Sequence, residues 1–287
     1  METVLVAGAT GYAGRHLAAA LHAGGYRVRA VVRDVERARG PGAYGAPALA
    51  GLVDEWVEAD VARVGPGVME GVERVVSALG VTRQKADPWD IDYAANLRLL
   101  ELAEAAGAAS FLYVGVMNAQ DGTSALMRAK AAFEQALRRS DLEAQIVNPS
   151  AYFSDLTAVL DLARRRIAVR VGAGDTRIRP IHGADLAGFC VDRMGARGTW
   201  DVGGPDVFTY REVVELAFDA LGADPRWIVV PPGVLRAGVW AADRMGPRVS
   251  SLTRFFAEGL QHDGVGAATG TRRLRDYFGE LAGPGGG

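Results

Sequence analysis

The stretch GATGYAG at residues 8–14 sets Gly8, Gly11 and Gly14 three apart, directly behind an apolar run and ahead of an alanine-rich segment. A sharp turn from strand into helix needs glycine's backbone freedom, and a pyrophosphate reaches a helix N-terminus only where no side chain intervenes. Gly8 suits the turn, Gly11 the close approach, and Gly14 close packing of the helix on the sheet. Thr10 can add a hydroxyl, and Tyr12 and Ala13 complete the expected phosphate cradle. The spacing is GxxGxxG rather than the GxGxxG dinucleotide fingerprint, so its meaning rests on the strand before it and the helix after it. A second strand ends on Arg33 and Asp34. A carboxylate there bonds the ribose 2′-hydroxyl, and an arginine accommodates a 2′-phosphate. Arg33 directly follows AVV, which favours NADP(H) and leaves NAD(H), through Asp34, as the other option.

A second candidate is Lys130. Leu126, Lys130, Phe133 and Leu137 form one helical stripe, which carries the ammonium onto the face expected to be buried. A lysine there must snorkel outward or find acceptors, and the hydroxyls of a bound ribose would serve. Asn118, Tyr152, Ser154, Asp155 and His182 are further polar groups able to move a proton, Tyr152 being the one singled out. Each also has a structural reading: packing for Tyr152, a helix cap for Asp155, a braced turn for His182. Arg177 and Arg179 could meet an acidic substrate or simply face solvent.

These residues must be held by a larger frame. Apolar runs at 3–7, 26–34, 53–60, 73–80, 110–116 and 143–149 alternate with helical patterns such as 93–108 and 124–140. Such alternation predicts an α/β fold, a doubly wound parallel sheet of Rossmann type. After Pro149 the rhythm changes to a turn-rich stretch, a strand near 199–204 and a helix over 210–222. The expectation is a dinucleotide-binding domain over 1–150 and a smaller C-terminal substrate lobe over 151–287, sharing one core, with a frayed GPGGG end. The 287 residues are 49% hydrophobic and 23% charged with a net charge of −2. Neither nucleic acid nor a membrane is therefore an expected partner, and a small molecule is. Cys190 is the only cysteine, reads as a buried small hydrophobe, and offers no metal-ligand pattern. No leader or spanning segment is evident, and the expected location is cytoplasmic.

Taken in order, GATGYAG, VVRD, EADV, VVSALG, YAANLRLLELAEAAG, FLYVGV, RAK, NPSAYFSD, IRPIHGADLA and WDVGGPDVFTYREVVELAF resemble the short-chain dehydrogenase/reductase superfamily in its atypical, NmrA-like NAD(P)-binding branch. The resemblance implies that Asp60 and Val61 contact adenine, although Asp60 equally reads as an N-cap. It further implies that Ala78, Leu79 and Gly80 line the pyrophosphate and nicotinamide ribose, and that Val114 to Val116, Gly115 included, lie under the nicotinamide. Pro149, Ser150 and Ala151 would close over its carboxamide, and Lys130 would bond the ribose and position the nicotinamide. The family's tyrosine, four residues before this lysine, is Leu126 here, and its serine is replaced by Gly115 and Val116. Two readings follow. One is a reductase of a conjugated C=C or carbonyl compound; the other is a non-catalytic NADP(H)-sensing regulator or assembly factor that binds a protein partner. Nucleotide-sugar epimerase chemistry is a third.

Overall fold

In the computed structural model, residues 1–81 and 86–283 are described, without the side chains of 247, 248 and 252. Residues 284–287 of the expected frayed end lie outside them. The chain begins with β1 (Thr3–Ala7), α1 (Tyr12–Ala23), β2 (Arg27–Val32), α2 (Val35–Arg39), β3 (Glu55–Glu58) and β4 (Arg74–Ser77). A π-helical turn, Trp89–Ala95, runs into α3 (Asn96–Ala105), followed by β5 (Ser110–Val114), α4 (Ala125–Arg139) and β6 (Glu143–Pro149). The remainder comprises α5 (Phe153–Arg164), β7 (Ala168–Val171), β8 (Arg177–Ile178), α6 (Gly183–Asp192), β9 (Gly198–Gly203) and β10 (Phe208–Thr209). It ends with α7 (Tyr210–Asp219), β11 (Trp227–Val230), α8 (Pro232–Ala242), α9 (Pro247–Gly259), β12 (Ala267–Ala268) and α10 (Leu274–Ala282).

Eight strands form one sheet in the order β12-β9-β6-β5-β4-β1-β2-β3, every neighbouring pair parallel. Both faces are covered, as a parallel sheet requires. Leu99, Leu100, Phe133 and Leu137 of α3 and α4 pack on one face; Leu17, Leu21, Leu186 and Cys190 of α1 and α6 pack on the other. The strand order reverses between β1 and β4, and the crevice opened there at the carboxyl ends is where α/β proteins take their ligands.

The expected boundary at residue 150 does not divide this sheet. β9 and β12 extend it, and α6 packs on α1, because Ile181, Leu186, Ala187 and Val202 belong to the same core as Val4 and Leu17. A separate cluster, built around Phe153, Leu160, Val213, Phe218 and Phe278, holds α5, α7 and α10 together. Among the described residues no helix is long and apolar enough to cross a membrane, and no group of side chains could hold a metal ion.

Candidate functional site: the crevice at the carboxyl ends of β1, β4, β5 and β6

Gly8 takes φ +76°, and a Cβ there would stand 2.6 Å from the Ala78 carbonyl oxygen. A Cβ on Gly14 would stand 2.1 Å from the Gly8 carbonyl oxygen. These two glycines let loop, strand and helix close on one another. Gly11 differs: its φ is −71°, it is the N-cap of α1, and no side chain caps the helix. The first-turn N–H groups are therefore presented to the crevice with the positive end of the helix dipole behind them. Arg15 fixes the loop from below, donating to the carbonyls of Thr10, Gly40 and Pro47 at 3.2, 2.7 and 2.9 Å. Thr10, Tyr12 and Arg15 also line a cleft of about 150 Å³ that reaches Tyr44, Ser154 and Asp155.

Arg33 and Asp34 have separate jobs. Asp34 caps α2, accepting from the Arg37 N–H at 2.9 Å, whereas Arg33 is exposed and has no ion-pair partner among the described residues. Asp60 caps the short helical turn that begins at Val61, accepting from the Ala62 N–H at 3.1 Å. Its structural reading is satisfied, and its second oxygen has no partner among the described residues.

Lys130 is buried, as its stripe implies. Its acceptors come from the protein: the Asp92 carboxylate at 2.9 Å and the Tyr113 hydroxyl at 3.3 Å. Burial alone would lower the ammonium's pKa, but the Asp92 charge and the phenol outweigh it and hold the lysine protonated, while burial pushes the Tyr113 phenol up to about 12. The other Asp92 oxygen accepts from the Val81 N–H at 3.0 Å, tying the β4 loop to the same pair. Gly80 crosses directly above, where a Cβ would lie 3.1 Å from both the lysine nitrogen and Asp92. No third acceptor for the ammonium is present among the described residues.

At the end of β5, a Cβ on Gly115 would stand 2.2 Å from the Asn148 side-chain oxygen and 2.8 Å from Glu134 Oε1. The place of the family's serine hydroxyl is thus taken by an amide and a carboxyl, both buried and neither of these oxygens partnered among the described residues. Burial raises the Glu134 pKa against the opposing pull of Arg138, which donates to its other oxygen at 2.9 Å. Leu126 is buried at the tyrosine position, and its N–H donates to the Ser251 hydroxyl at 3.2 Å.

Tyr152 precedes α5, with its ring edge-on to Tyr12 at 5.8 Å and a bridge to Ile181. Burial raises its phenol's pKa well above the ordinary value, and its hydroxyl has no hydrogen-bond partner among the described residues. Pro149, Ser150 and Ala151 form the turn above β6, where the Ser150 hydroxyl is engaged by the Gly264 carbonyl and the Arg179 N–H. Val114 is buried in the sheet. His182 accepts from the Ala184 N–H as the N-cap of α6, Asn118 donates to the Asp263 carbonyl, and Arg177 pairs with Asp263. Cys190 is buried among apolar side chains, as expected.

This cradle fits a nicotinamide dinucleotide: glycine where the backbone must be bare, an uncapped helix N-terminus for the pyrophosphate, and an unpaired arginine beyond the second strand. The comparisons agree. Residues 8–195 match the NAD(P)H-binding family, and the chain belongs to it, within the atypical short-chain dehydrogenase/reductase superfamily. It is 33% identical over 264 residues to a divinyl chlorophyllide a 8-vinyl-reductase from Zea mays, covering 84% of this chain and 65% of that one. It is 30% identical over 272 residues to a ceramide reductase from Caulobacter vibrioides, covering 87% and 81%. An NADPH-dependent quinone oxidoreductase from Escherichia coli, solved with NADPH, superposes with a TM-score of 0.70 at 16% identity over 97% of this chain and 99% of that one, a likeness of fold. The chain is thus an NAD(P)-binding, reductase-like protein that spans about two thirds of the maize relative's length.

Proposed function

We propose that the protein is an NADPH-dependent reductase of a small, largely apolar compound, with a conjugated C=C bond preferred over an isolated carbonyl. The observation that carries this is the pairing of an intact coenzyme cradle with an apolar residue, Leu126, at the position of the family's phenol. A ketone needs an acid at its oxygen as hydride arrives. A conjugated double bond can accept hydride at carbon first and a proton afterwards. When bound, the dinucleotide supplies the hydride. The chain's own residues hold it: the α1 N-terminus and Gly8 to Gly14 take the pyrophosphate, Arg33 the 2′-phosphate, and Lys130 the ribose hydroxyls. Val114, Gly115 and Pro149 to Ala151 bound the nicotinamide pocket. Tyr152, protonated and with an unpaired hydroxyl, is the proton source we favour. The names of the maize and Caulobacter relatives, reductases of a vinyl-bearing pigment and of a lipid, support an apolar substrate.

The test follows NADPH consumption against matched enones and saturated ketones. Turnover of the enones, much reduced in Tyr152→Phe, is the expected result. No turnover of any acceptor, with tight NADPH binding retained, would favour the regulator reading. Arg33→Ala should narrow the preference for NADPH over NADH by about 1.5–3 kcal/mol, the scale of hydrogen bonding to a charged group.

A further inference from the structure

Apart from the crevice, the most unusual surface lies on the hairpin of α8 and α9. Ile228 and Val229 of β11, Val234 and Trp240 of α8, Met245 in the turn and Phe256 of α9 are each 48–73% exposed. Arg236 is the only charged residue among the eleven of α8, and its apolar side chains point outward as well as toward α9. Isolated exposed hydrophobes need no explanation, but a group of this size within one stretch of the chain does.

The charges around it identify what covers it. Residues 226–261 carry five arginines and two carboxylates, in a chain whose net charge is −2. Both carboxylates are engaged, Asp243 with Arg254 and Glu258 with the Thr123 hydroxyl and N–H. Arg236 and Arg244 form no ion pair among the described residues. The Arg244 guanidinium instead stacks on the Trp240 ring at 3.3 Å from its centroid. A tryptophan with an arginine against it, beside apolar side chains and surplus positive charge, suits the boundary between acyl chains and phosphate head groups. Near-balance of the whole chain's charge conceals this local excess.

We propose that the α8–α9 hairpin is the docking face of this protein for an anionic lipid bilayer, entered by Trp240, Phe256 and the Met245 turn and flanked by Arg236 and Arg244. The hairpin's base is fastened to the entry of α4, where Ser251 accepts from the Leu126 N–H and Glu258 from Thr123. A cleft of about 180 Å³ between the helices is lined by Leu235, Val239, Ala257 and Thr123 among others. Docking would therefore set the crevice beside a reservoir of apolar compounds. The inference does not depend on the hydride chemistry, since its readout is binding.

The full chain is floated with vesicles of phosphatidylcholine alone and of phosphatidylcholine with phosphatidylglycerol, at low and raised salt. The expected result is at least tenfold more protein with the anionic vesicles, reduced by salt. A tenfold loss should follow in Trp240→Ser with Phe256→Ser, and a smaller loss in Arg236→Glu with Arg244→Glu. Circular dichroism and NADPH titration establish that the variants remain folded. No flotation with anionic vesicles overturns the proposal, as does undiminished flotation of the folded Trp240→Ser, Phe256→Ser variant. A concentration-dependent dimer lost in that variant, without vesicle binding, also overturns it and assigns the face to a second copy of the chain.

Discussion

Lys130 and Asp92 form a buried charge pair, and removing one member of such a pair leaves the other without compensation. Lys130→Met should therefore cost about 3–5 kcal/mol of stability, measured by denaturant unfolding, and its effect on coenzyme affinity would be confounded with folding. Combining Lys130→Met with Asp92→Asn removes both charges while leaving an acceptor for the Val81 N–H, and should recover most of that loss. In the recovered protein, a roughly tenfold or greater weakening of NADPH binding would report the ammonium's third hydrogen bond, and unchanged affinity would make the lysine purely structural. His16 is a second residue with an energetic signature. It lies buried between Tyr12 and His182, its Nε2 without a partner, and burial lowers its pKa to about 4 from 6.5. Between those values the unfolded chain binds a proton that the folded chain refuses. The His16 contribution is thus complete above pH 6.5 and lost as pH falls toward 4, about 3 kcal/mol at most. Unfolding by denaturant at pH 7 and pH 4.5 should show a smaller difference for His16→Leu than for the unaltered protein.

At the scale of elements, the β1–α1 turn separates folding from binding within seven residues. Gly14 contacts the backbone of Gly8 and Ala9 so closely that Gly14→Ala must push the helix off the strand, and it should lower thermal stability whether or not coenzyme is present. Gly11 meets only the Gly8 carbonyl oxygen, at 3.3 Å, and its φ suits any residue. Gly11→Val should leave the circular dichroism spectrum and melting temperature near those of the parent while abolishing NADPH binding, because the added methyls occupy the pyrophosphate's space. Equal binding by Gly11→Val would mean that the loop is only a turn. The π-helical turn before α3 acts similarly at a distance. It brings Asp92 under Lys130 and, through Asn96, links to the Ser77 hydroxyl at 2.5 Å, joining α3 to the end of β4.

For the whole molecule, one sheet runs from β3 at one edge to β12 at the other, and α6, from the C-terminal half of the chain, packs on α1. Coenzyme bound at the β1–β4 switch point should consequently stabilise the chain as one unit. At one hundred times its dissociation constant, NADPH should add about 2.7 kcal/mol and raise a single melting transition seen alike by circular dichroism and tryptophan fluorescence. Two transitions, only one of them moved by NADPH, would instead separate the smaller lobe from the sheet.

Strand–helix alternation was legible in the sequence, since period and turn residues are local properties of the chain. The six expected strands are all present, shorter by a few residues at most ends, and the sixth falls on 143–149 as read. Lys130 was legible as buried because its neighbours on one helix are fixed by a 3.6-residue period. Its partners were not. Asp92 lies 38 positions earlier, on a π-turn whose wider spacing breaks that period, and Tyr113 looks like one more apolar strand residue. The meeting of Glu134 with Asn148 over Gly115 likewise depends on how α4 lies across β5 and β6. Local sequence determined which elements form and where the glycines must be. Only the packing of elements distant in the chain decided which buried charges find one another, and which apolar helix is left facing outward.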